Sequence, residues 1–384
     1  MKRHLVVIFL ALMVGILPAA PSSAAPSMTA GKAAPAPSVA AGWEKQWNNV
    51  LEAGKKEGIV VIYSLWRPET RTTLTKAFLE KYGIKLQFLP FSKGSDLMVR
   101  VQKEKQAGLN AVDVIGGGYG TLVATMKPAG LLGSLNPLLM LPEVLDPKVW
   151  RAGKVPLADE EGTALGMIEV VIRTVVYNTN LIDGSKITSY KDLLEPQYKG
   201  KITMDDPSVT GPANGVLTHL GHSLWGETET VDFLRRLIRD QGIDIQRDDR
   251  IQMESVARGK YAVALCPLPD LSAEFISLGA PVKPSLVKED NRLATAAGVL
   301  GVPGQIAHPN AARVFINWLL TKEGQTLFSQ SFGNPSSRAD VSTKEFSPLL
   351  VPVAGKKYYS EMDALAQRGK WLGIAKKVMS EAKQ

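Results

Sequence analysis

The stretch IVVIYSLWRPETRTTLTKAFLEKYGIKLQFLP, residues 59–90, indicates the fold class of this chain. It opens with an apolar run, 59–63, of the kind found in buried strands. Apolar residues then recur at helical spacing until Gly83, and a second apolar run follows at 84–89. Strand, helix and strand in this order predict two parallel strands joined by a crossover helix.

The same alternation continues on both sides of that stretch. An amphipathic helix precedes it, while a helix capped by Ser95 and a third strand at 112–115 follow it. Open parallel sheets bind ligands beyond the carboxyl ends of their strands. The loops 64–67, 92–95 and 116–120 are therefore the first candidates for a binding site.

A second α/β unit begins after Gly162. The stretch 163–178 is rich in β-branched residues and too long for one strand of a compact sheet, so we expect it to pass between two lobes. A small helical unit at 190–198, a strand at 202–204 and a helix–strand pair at 251–266 repeat the alternation. We therefore predict an α/β chain with two lobes, each a mainly parallel sheet flanked by helices, joined by hinge strands.

The first part of the chain has the pattern of an export signal. A basic start, a short apolar run and small residues predict a signal peptide at 1–24. Residues 25–42 are mainly Ala, Pro and Ser, which predicts a flexible linker. The single cysteine, Cys266, excludes an internal disulfide and a lipid-attachment cysteine after the signal. The expected location is the periplasm.

Composition limits the classes of partner. The 384 residues carry a formal net charge of +8 and are 45% hydrophobic and 21% charged, which is ordinary for a globular protein. The basic residues are spread along the chain, without a basic block interleaved with aromatic residues. This distribution predicts a weak preference for anions and argues against nucleic-acid binding.

The loop MDDPSVTGPANGVL, residues 204–217, joins a strand to a helix through small and hydroxyl residues. Backbone amides at a helix start can hold an anion, and small residues let a ligand come close. The same pattern is typical of an ordinary capped helix with Pro212 at its first position. Both interpretations stay open from the loop alone.

Five stretches, in order, resemble a known family. They are VVYNTNLI at 175–182, DLLEPQYKGKITMDDPSVTG at 192–211, VARGKYAVAL at 256–265, HPNAARVFINWLLTKEGQTLF at 308–328 and NPSSRADV at 334–341. Together they resemble the extracellular solute-binding proteins of ABC importers, in the branch that includes the ferric-ion-binding proteins. The resemblance implies the type II periplasmic-binding-protein fold, in which two lobes close on a ligand about a hinge.

The resemblance also implies a division of the chain and a set of partners. We expect the chain to cross between the lobes near Arg173, Gly298 and Pro335. The implied partners are a small-molecule ligand and the permease of an ABC transporter in the inner membrane. We expect a monomer that needs no cofactor, metal or nucleic acid and performs no covalent chemistry. The expected division is lobe 1 at 43–172 and 297–335, and lobe 2 at 173–296 and 336–384.

The resemblance leaves two classes of ligand open. Ferric-ion binders of this branch carry two adjacent tyrosines just after the strand that corresponds to 261–265, where phenolate oxygens suit ferric iron. Here that place reads CPLPD, 266–270, and the adjacent Tyr358 and Tyr359 lie far away in the carboxyl-terminal tail. The prediction is therefore a small anionic organic solute, with a ferric-ion receptor as the alternative.

The candidate ligand residues come from the strand-end loops and from the helix starts of lobe 2. Arginine, lysine, hydroxyls and helix amides suit a carboxylate, phosphate or phosphonate, while aromatic rings can cover an organic body. Asp249 could instead bind a ligand amine or cap its own helix. The predicted ligand-binding residues are Trp66, Arg67, Ser92, Lys93, Gly118, Tyr119, Tyr177, Ser208, Thr210, Gly211, Asp249 and Arg250.

Two further patterns resemble a metal site and an enzyme motif, but both are incomplete. His219 and His222 are three apart, but no acid lies at helical spacing with them, so structural histidines are favoured over a metal site. GHSLWG, residues 221–226, lacks the spacing of a serine-hydrolase elbow, which disfavours a secreted α/β hydrolase. A sensory protein that uses the same closing lobes is the third alternative, after the ferric-ion receptor and the hydrolase.

Overall fold

A computed structural model describes residues 42–209, 211–353 and 355–382. The predicted signal peptide and the predicted linker up to residue 41 lie outside the described residues, as does Thr210. Within the described ranges, no helix has the length and apolar character needed to cross a membrane.

The elements alternate between strands and helices along the chain. The strands are β1 (Ile59–Ser64), β2 (Lys85–Pro90), β3 (Val114–Gly117), β4 (Ala164–Gly166), β5 (Val170–Val171), β6 (Val175–Asn178), β7 (Ile202–Asp205), β8 (Asp244–Gln246), β9 (Val263–Leu265), β10 (Val282–Pro284), β11 (Arg292–Ala294), β12 (Val299–Gly301) and β13 (Tyr359–Ser360). The helices are α1 (Trp43–Glu57), α2 (Pro68–Tyr82), α3 (Gly94–Gln106), α4 (Tyr119–Thr121), α5 (Pro142–Leu145), α6 (Pro212–His219), α7 (Glu227–Arg239), α8 (Asp249–Ala257), α9 (Pro269–Ser277), α10 (Pro309–Leu320), α11 (Lys322–Phe332) and α12 (Arg368–Glu381).

Lobe 1 is the body built on the first sheet, whose order is β2-β1-β3-β12-β4. β1 is parallel to β2 and β3, and β12 is antiparallel to β3 and β4. The core beside the sheet contains Phe78 of α2 with Phe315 and Trp318 of α10, whose rings are in contact. Each such buried side chain contributes about 2–3 kcal/mol relative to an exposed one.

Lobe 2 is the body built on the second sheet, whose order is β10-β6-β9-β7-β8. β7 is parallel to β8 and β9, and β6 is antiparallel to β9 and β10. Tyr190, Trp225 and Phe233 form an aromatic cluster in its core. Each sheet therefore combines two parallel pairs with two antiparallel pairs, because the strands adjoining the crossing segments run in the opposite direction.

A small third sheet, β13-β11-β5, joins the two connections between the lobes. β5 and β11 are antiparallel, so the outgoing and returning segments are bonded to each other. The stretch 163–178, which is expected to pass between the lobes, is divided into β4, β5 and β6, because each piece pairs within a different sheet. This arrangement places two adjacent segments where a hinge between the lobes is expected.

The structure moves the third crossing beyond Pro335. Ser336 and Arg338 form isolated bridges with Ile168 and Trp150, and Nη1 of Arg338 donates to a carbonyl at the end of α10. This stretch therefore still packs on lobe 1, because the buried guanidinium of Arg338 is held by lobe 1 carbonyls. The chain joins the third sheet only at β13, and α12 then packs on α6 and α7.

Helix ends follow the sequence signals closely, with one exception. Gly58 and Gly83 end α1 and α2 in the left-handed region, with φ of 72° and 71°. The predicted cap at Ser95 is wrong, because α3 begins at Gly94 and the Ser95 hydroxyl donates to Asp96 within the helix. The three loops predicted to follow the first three strands come after β1, β2 and β3, in that order.

Candidate functional site

The start of α6 follows the carboxyl end of β7, where the sequence predicts ligand donors. Oδ2 of Asp205 accepts a 2.9 Å hydrogen bond from the amide of Ala213 and lies 2.9 Å from the place that a β-carbon on Gly211 would take. A carboxylate of the protein therefore already accepts from one of the amides at this helix end. Burial raises the pKa of Asp205 to about 7 against the effect of the Ala213 amide, and the charge of Asp249 adds to the rise.

The hydroxyl of Ser208 bonds within its own loop. Its Oγ and its amide both donate to Oδ1 of Asp206, at 2.6 Å and 2.8 Å. Oδ2 of Asp206 accepts from Nε of Arg247 at 2.9 Å. Burial opposes it, but these bonds from Ser208 and Arg247 lower the pKa of Asp206. A ligand that accepts a bond from Ser208 would therefore displace the bond to Asp206, and the neighbouring Thr210 lies outside the described residues.

Arg250, the cation predicted to face a ligand from lobe 2, has an acidic partner. Its Nη2 lies 2.9 Å and 3.0 Å from the two carboxylate oxygens of Glu274, and its guanidinium lies over the ring of Phe275. The charge of Arg250 is therefore compensated at the surface, which corrects the expectation of a free donor. Asp248 caps α8, whereas Oδ1 of the half-buried Asp249 has no hydrogen-bond partner among the described residues, and burial raises the pKa of Asp249.

Trp66 and Tyr119, the aromatic residues predicted to cover an organic ligand, are buried in lobe 1. Trp66 is 1% exposed; its Nε1 donates to the carbonyl of Ala297 at 3.1 Å, and its ring packs edge-on against Phe328. Tyr119 is 6% exposed, its hydroxyl faces Gly166, and burial raises its pKa. The prediction for Trp66 is corrected by this packing, because the core leaves its ring almost no surface for a ligand.

Three further predicted ligand residues of lobe 1, Arg67, Ser92 and Lys93, lie near helix starts. The guanidinium of Arg67 lies over the ring of Phe332, at 5.8 Å from the ring centroid, and its side chain is half-buried. Ser92 and Lys93 are exposed immediately before α3. A role for these three residues in ligand binding stays a prediction.

Gly118 and Tyr177 both lie in closely packed places. Gly118 lies against a backbone carbonyl, and the ring of Tyr177 lies against another glycine. A β-carbon on Gly118 would lie 2.8 Å from the carbonyl oxygen of Ala296, so only glycine lets the returning segment approach β3 this closely. The ring of Tyr177 covers Gly184, where a β-carbon would lie 2.1 Å from the ring. Both positions are explained by packing, and their role toward a ligand stays a prediction.

Two arginines that the sequence does not single out converge on α6. Nη1 of Arg292, on β11, lies 2.7 Å from the place that a β-carbon on Gly215 would take, and Nη2 of Arg368, on α12, lies 3.2 Å from it. Because Gly215 has no side chain, both guanidinium groups reach the same part of the helix. Nη1 of Arg368 also lies 3.8 Å from the β-carbon position of Gly120, on α4. The Arg368 guanidinium therefore lies between α4 of lobe 1 and α6 of lobe 2.

The charges of these two arginines are poorly compensated. Arg292 is 8% exposed, and within the described residues its guanidinium has no hydrogen bond and no ion pair. Nη2 of Arg368 lies 3.8 Å from Oε2 of Glu361, whose Oε1 accepts from the amide and hydroxyl of Thr295 at 2.9 Å and 2.6 Å. Burial lowers the pKa of Arg368; Glu361 opposes this, and the charge of Arg292 adds to it. Asn214 of α6 is fully buried, and neither its oxygen nor its nitrogen has a partner among the described residues.

Other ionisable groups near the crossing strands are already satisfied or uncharged. Asp290, two residues before Arg292, accepts from the amide and hydroxyl of Thr174 at 3.1 Å and 2.6 Å and from the hydroxyl of Tyr190 at 3.2 Å. Burial raises the pKa of Asp290 to about 6 against these bonds. Cys266 is fully buried with φ of 57°, and burial raises the pKa of its thiol well above the usual value. A thiolate at this place is therefore disfavoured.

A weak sequence signal could have identified one of the two arginines. Arg292 lies in the segment expected to return between the lobes, and a charge on a buried strand needs a partner. No local pattern marks Arg368, which follows an ordinary polar stretch in the tail. The pair becomes visible only when β11, α6 and α12 are brought together.

His219 and His222 are the two histidines whose spacing in the sequence could suit a metal ion. Nε2 of His219 lies 2.9 Å from Oδ1 of Asn291, its ring packs edge-on against Tyr359, and burial lowers its pKa. This packing supports a structural role for His219. In the described part of the chain, no group of three or more His, Cys, Asp or Glu side chains is placed to hold a metal ion.

Comparison with known proteins identifies the family of this chain. A family model described as bacterial extracellular solute-binding protein matches residues 73–349. An uncharacterised protein of Haemophilus influenzae is 29% identical over 291 residues, which cover 72% of this chain and 77% of the relative. The matched residues include every strand of the first sheet except β1, all strands of the second sheet and the two connections between the lobes.

Solved structures share the fold at low sequence identity. The Trichodesmium protein IdiA (FutA), in complex with iron and citrate, aligns with a TM-score of 0.67 at 20% identity over 84% of this chain and 99% of its own. AfuA of Actinobacillus pleuropneumoniae, with fructose-6-phosphate bound, aligns with a TM-score of 0.61 at 21% identity over 83% and 97%. AfuA is described as a periplasmic binding protein, and the likeness to both structures establishes the fold of this chain.

Proposed function

The chain belongs to the bacterial extracellular solute-binding proteins, and we propose that it is the receptor of an ABC importer for a small anionic organic solute. The solute binds between the two lobes, and the closed receptor delivers it to a permease. Closure brings donors from both lobes onto one ligand, so a ligand that contacts both lobes stabilises the closed state by its differential affinity.

The observation that carries the proposal is the guanidinium of Arg292. A buried charge costs several kcal/mol unless it is paired, and within the described ranges Arg292 has no ion pair. It lies on β11, one of the segments that connect the lobes, and it faces α6 across Gly215. An anionic ligand at this place would supply the missing charge and accept hydrogen bonds from the guanidinium.

A ferric-ion receptor is the second candidate, because a solved protein of the same fold holds iron with citrate. The place expected to carry two tyrosines holds Cys266, a buried thiol with a raised pKa, and a neutral thiol is a poor ligand for ferric iron. Ferric citrate belongs in any ligand screen. A visible charge-transfer band that follows the protein concentration would favour this candidate over the organic anion.

A thermal-shift screen of carboxylates, phosphate esters and phosphonates, followed by calorimetry on the best ligand, tests the proposal. We expect at least one anion to raise the melting temperature, and Arg292→Gln to weaken its binding about hundredfold, because a charge-assisted bond is lost. Arg250→Gln is the matched control, since Arg250 already pairs with Glu274. Stabilisation by neutral sugars alone, with no response to any anion, would overturn the proposal.

A further inference from the structure

The C-terminal segment, residues 359–382, is attached to lobe 1 near its beginning. Oε1 of Glu361 accepts two hydrogen bonds from Thr295, at the end of the returning strand β11. Leu365 is buried in the lobe 1 cluster that contains Tyr119, and Met362 packs against the same cluster. The first turns of the C-terminal segment therefore contact lobe 1, and they also contact α6 of lobe 2.

The rest of the C-terminal segment is attached to lobe 2. Trp371 and Ala375 of α12 are buried in one cluster with Leu217 of α6 and Leu234 of α7. The ring of Trp371 also covers Gly221, where a β-carbon would lie 1.7 Å from it. The C-terminal segment thus bridges the lobes, and Arg368 stands at the point where it passes from one lobe to the other.

Glycines on both lobes leave room for the Arg368 guanidinium. It lies close to Gly120 of α4 on one side and to Gly215 of α6 on the other, and Arg292 approaches Gly215 as well. Any larger residue at position 215 would occupy the space taken by the two guanidinium groups. The position is therefore built for two cations side by side, which repel each other unless an anion lies between them or beside them.

We propose that Arg292 and Arg368 together form the binding site for the acidic head group of the solute, a carboxylate or phosphoryl oxyanion, and that the C-terminal segment delivers Arg368 to it. This inference rests on the proposed function and adds the site at which the anion is held. Two guanidinium groups can donate several charge-assisted hydrogen bonds to one oxyanion. The buried amide of Asn214, which has no hydrogen-bond partner among the described residues, lies next to Gly215 in the chain and marks this part of α6 as short of polar partners.

Calorimetry of the mature chain with two probes, inorganic phosphate and succinate, tests the site. Wild type is expected to bind at least one probe, and the tighter probe identifies the phosphoryl or the carboxylate class. Arg368→Gln should weaken that binding about tenfold to hundredfold, and Arg368→Lys should recover part of it, because lysine keeps the charge but loses the paired donors. The matched control is Lys370→Gln, which removes an exposed positive charge from α12, the helix that carries Arg368; Lys370 pairs with Glu227 of α7.

The increase in melting temperature caused by each probe separates a binding role from a structural one. A merely structural Arg368 would lower the melting temperature of the free protein but leave the anion-induced increase unchanged. Binding of neither probe at tens of millimolar overturns the inference, and so does equal binding by wild type and Arg368→Gln. If an anion binds, Arg292→Gln removes the binding and Arg368→Gln does not, the proposed function stands and this inference alone fails.

Discussion

The start of α6 and its fourth residue, Gly215, make opposite use of the same helix. At the start, the amide of Ala213 donates to the carboxylate of Asp205, and the loop hydroxyl of Ser208 donates to Asp206. At Gly215, two guanidinium groups meet, and Nη2 of Arg368 lies 3.8 Å from a carboxylate oxygen of Glu361. The first place has two donors that are already bonded to carboxylates, whereas within the described residues the guanidinium of Arg292 at the second place has no acceptor.

This difference shows why donor chemistry alone does not identify a binding site. A helix start with small residues looks suited to an anion in any sequence, yet buried polar groups are normally satisfied within the protein. Unsatisfied charge is the rarer observation, because its cost must be offset by function or by a bound partner. The comparison therefore moves the expected anion from the start of α6 to the arginines beside its middle.

Asp205→Asn gives the largest expected effect and tests the satisfied end of the comparison. Asparagine still accepts from Ala213, but it does not titrate. Because burial holds the folded-state pKa at about 7 against an ordinary 3.8, folded wild type keeps its proton between these values while the unfolded chain loses it. The free energy of unfolding of wild type should therefore fall, relative to the variant, by up to about 4 kcal/mol as pH rises from about 4 to about 7.

Urea unfolding of both proteins across that pH range measures the difference directly. Asp232→Asn, at an exposed position on α7, is the control for loss of a carboxylate far from α6. A stability difference between wild type and Asp205→Asn that stays constant from pH 4 to pH 8 would show that Asp205 is ionised throughout, and the helix start would then hold a full negative charge.

Gly215→Ala tests the part of α6 at which the two guanidinium groups meet. The new β-carbon would meet Nη1 of Arg292 at 2.7 Å and Nη2 of Arg368 at 3.2 Å, and these flexible side-chain ends would move. Alanine in a helix interior is favoured over glycine by about 1 kcal/mol, so stability should be unchanged or higher. Anion binding measured by calorimetry should weaken about tenfold, which corresponds to about 1.4 kcal/mol.

Gly373→Ala is the matched control for that substitution, because a β-carbon there meets nothing within 4 Å. It should show the helix gain in stability without any change in affinity. If Gly215→Ala behaves in the same way as Gly373→Ala, the two guanidinium groups at α6 are not needed for anion binding. The proposed difference between the start of α6 and Gly215 would then be contradicted.

Ser208→Ala gives the smallest expected effect and sharpens the comparison at the loop. The lost hydrogen bond to Asp206 should lower the free energy of unfolding by about 1 kcal/mol, with affinity for the solute changed less than about twofold. Ser277→Ala, which removes an exposed hydroxyl from α9, controls for loss of a serine. A tenfold loss of affinity in Ser208→Ala would return the ligand to the start of α6, where the sequence first suggested it.

Much of the fold could be predicted because its signals are local. Apolar runs, helical spacing and glycine ends depend on neighbours in the chain, so α1, β1 and α2 lie close to where they are expected. The two-lobed architecture followed from the repeated alternation of strands and helices and from a resemblance carried by five stretches between residues 175 and 341. The later crossing at β13 was missed because it depends on the buried guanidinium of Arg338, whose partners in lobe 1 are distant in sequence.

The candidate site was predicted less well, since a side chain's role depends on what it meets. Trp66 and Arg250 have the residue types of ligand contacts, but the first is enclosed by the core and the second is neutralised by Glu274. No local pattern marks Arg368, and Arg292 has only the weak signal of a charge on a buried strand. Residue type and spacing describe what a group is able to do, whereas burial and partners determine whether it is available.

The amino-acid sequence by itself determined the alternation of strands and helices, the glycine-ended helices and the membership of a solute-binding family. The first two properties follow from short-range sterics and from the periodic burial of apolar residues, and the family follows from a match over residues 73–349. Only the tertiary structure decided that Asp205 closes the start of α6 and that β11 and α12 bring two arginines to Gly215. Electrostatic compensation acts through space, so it depends on contacts that form only when the lobes and the C-terminal segment have packed.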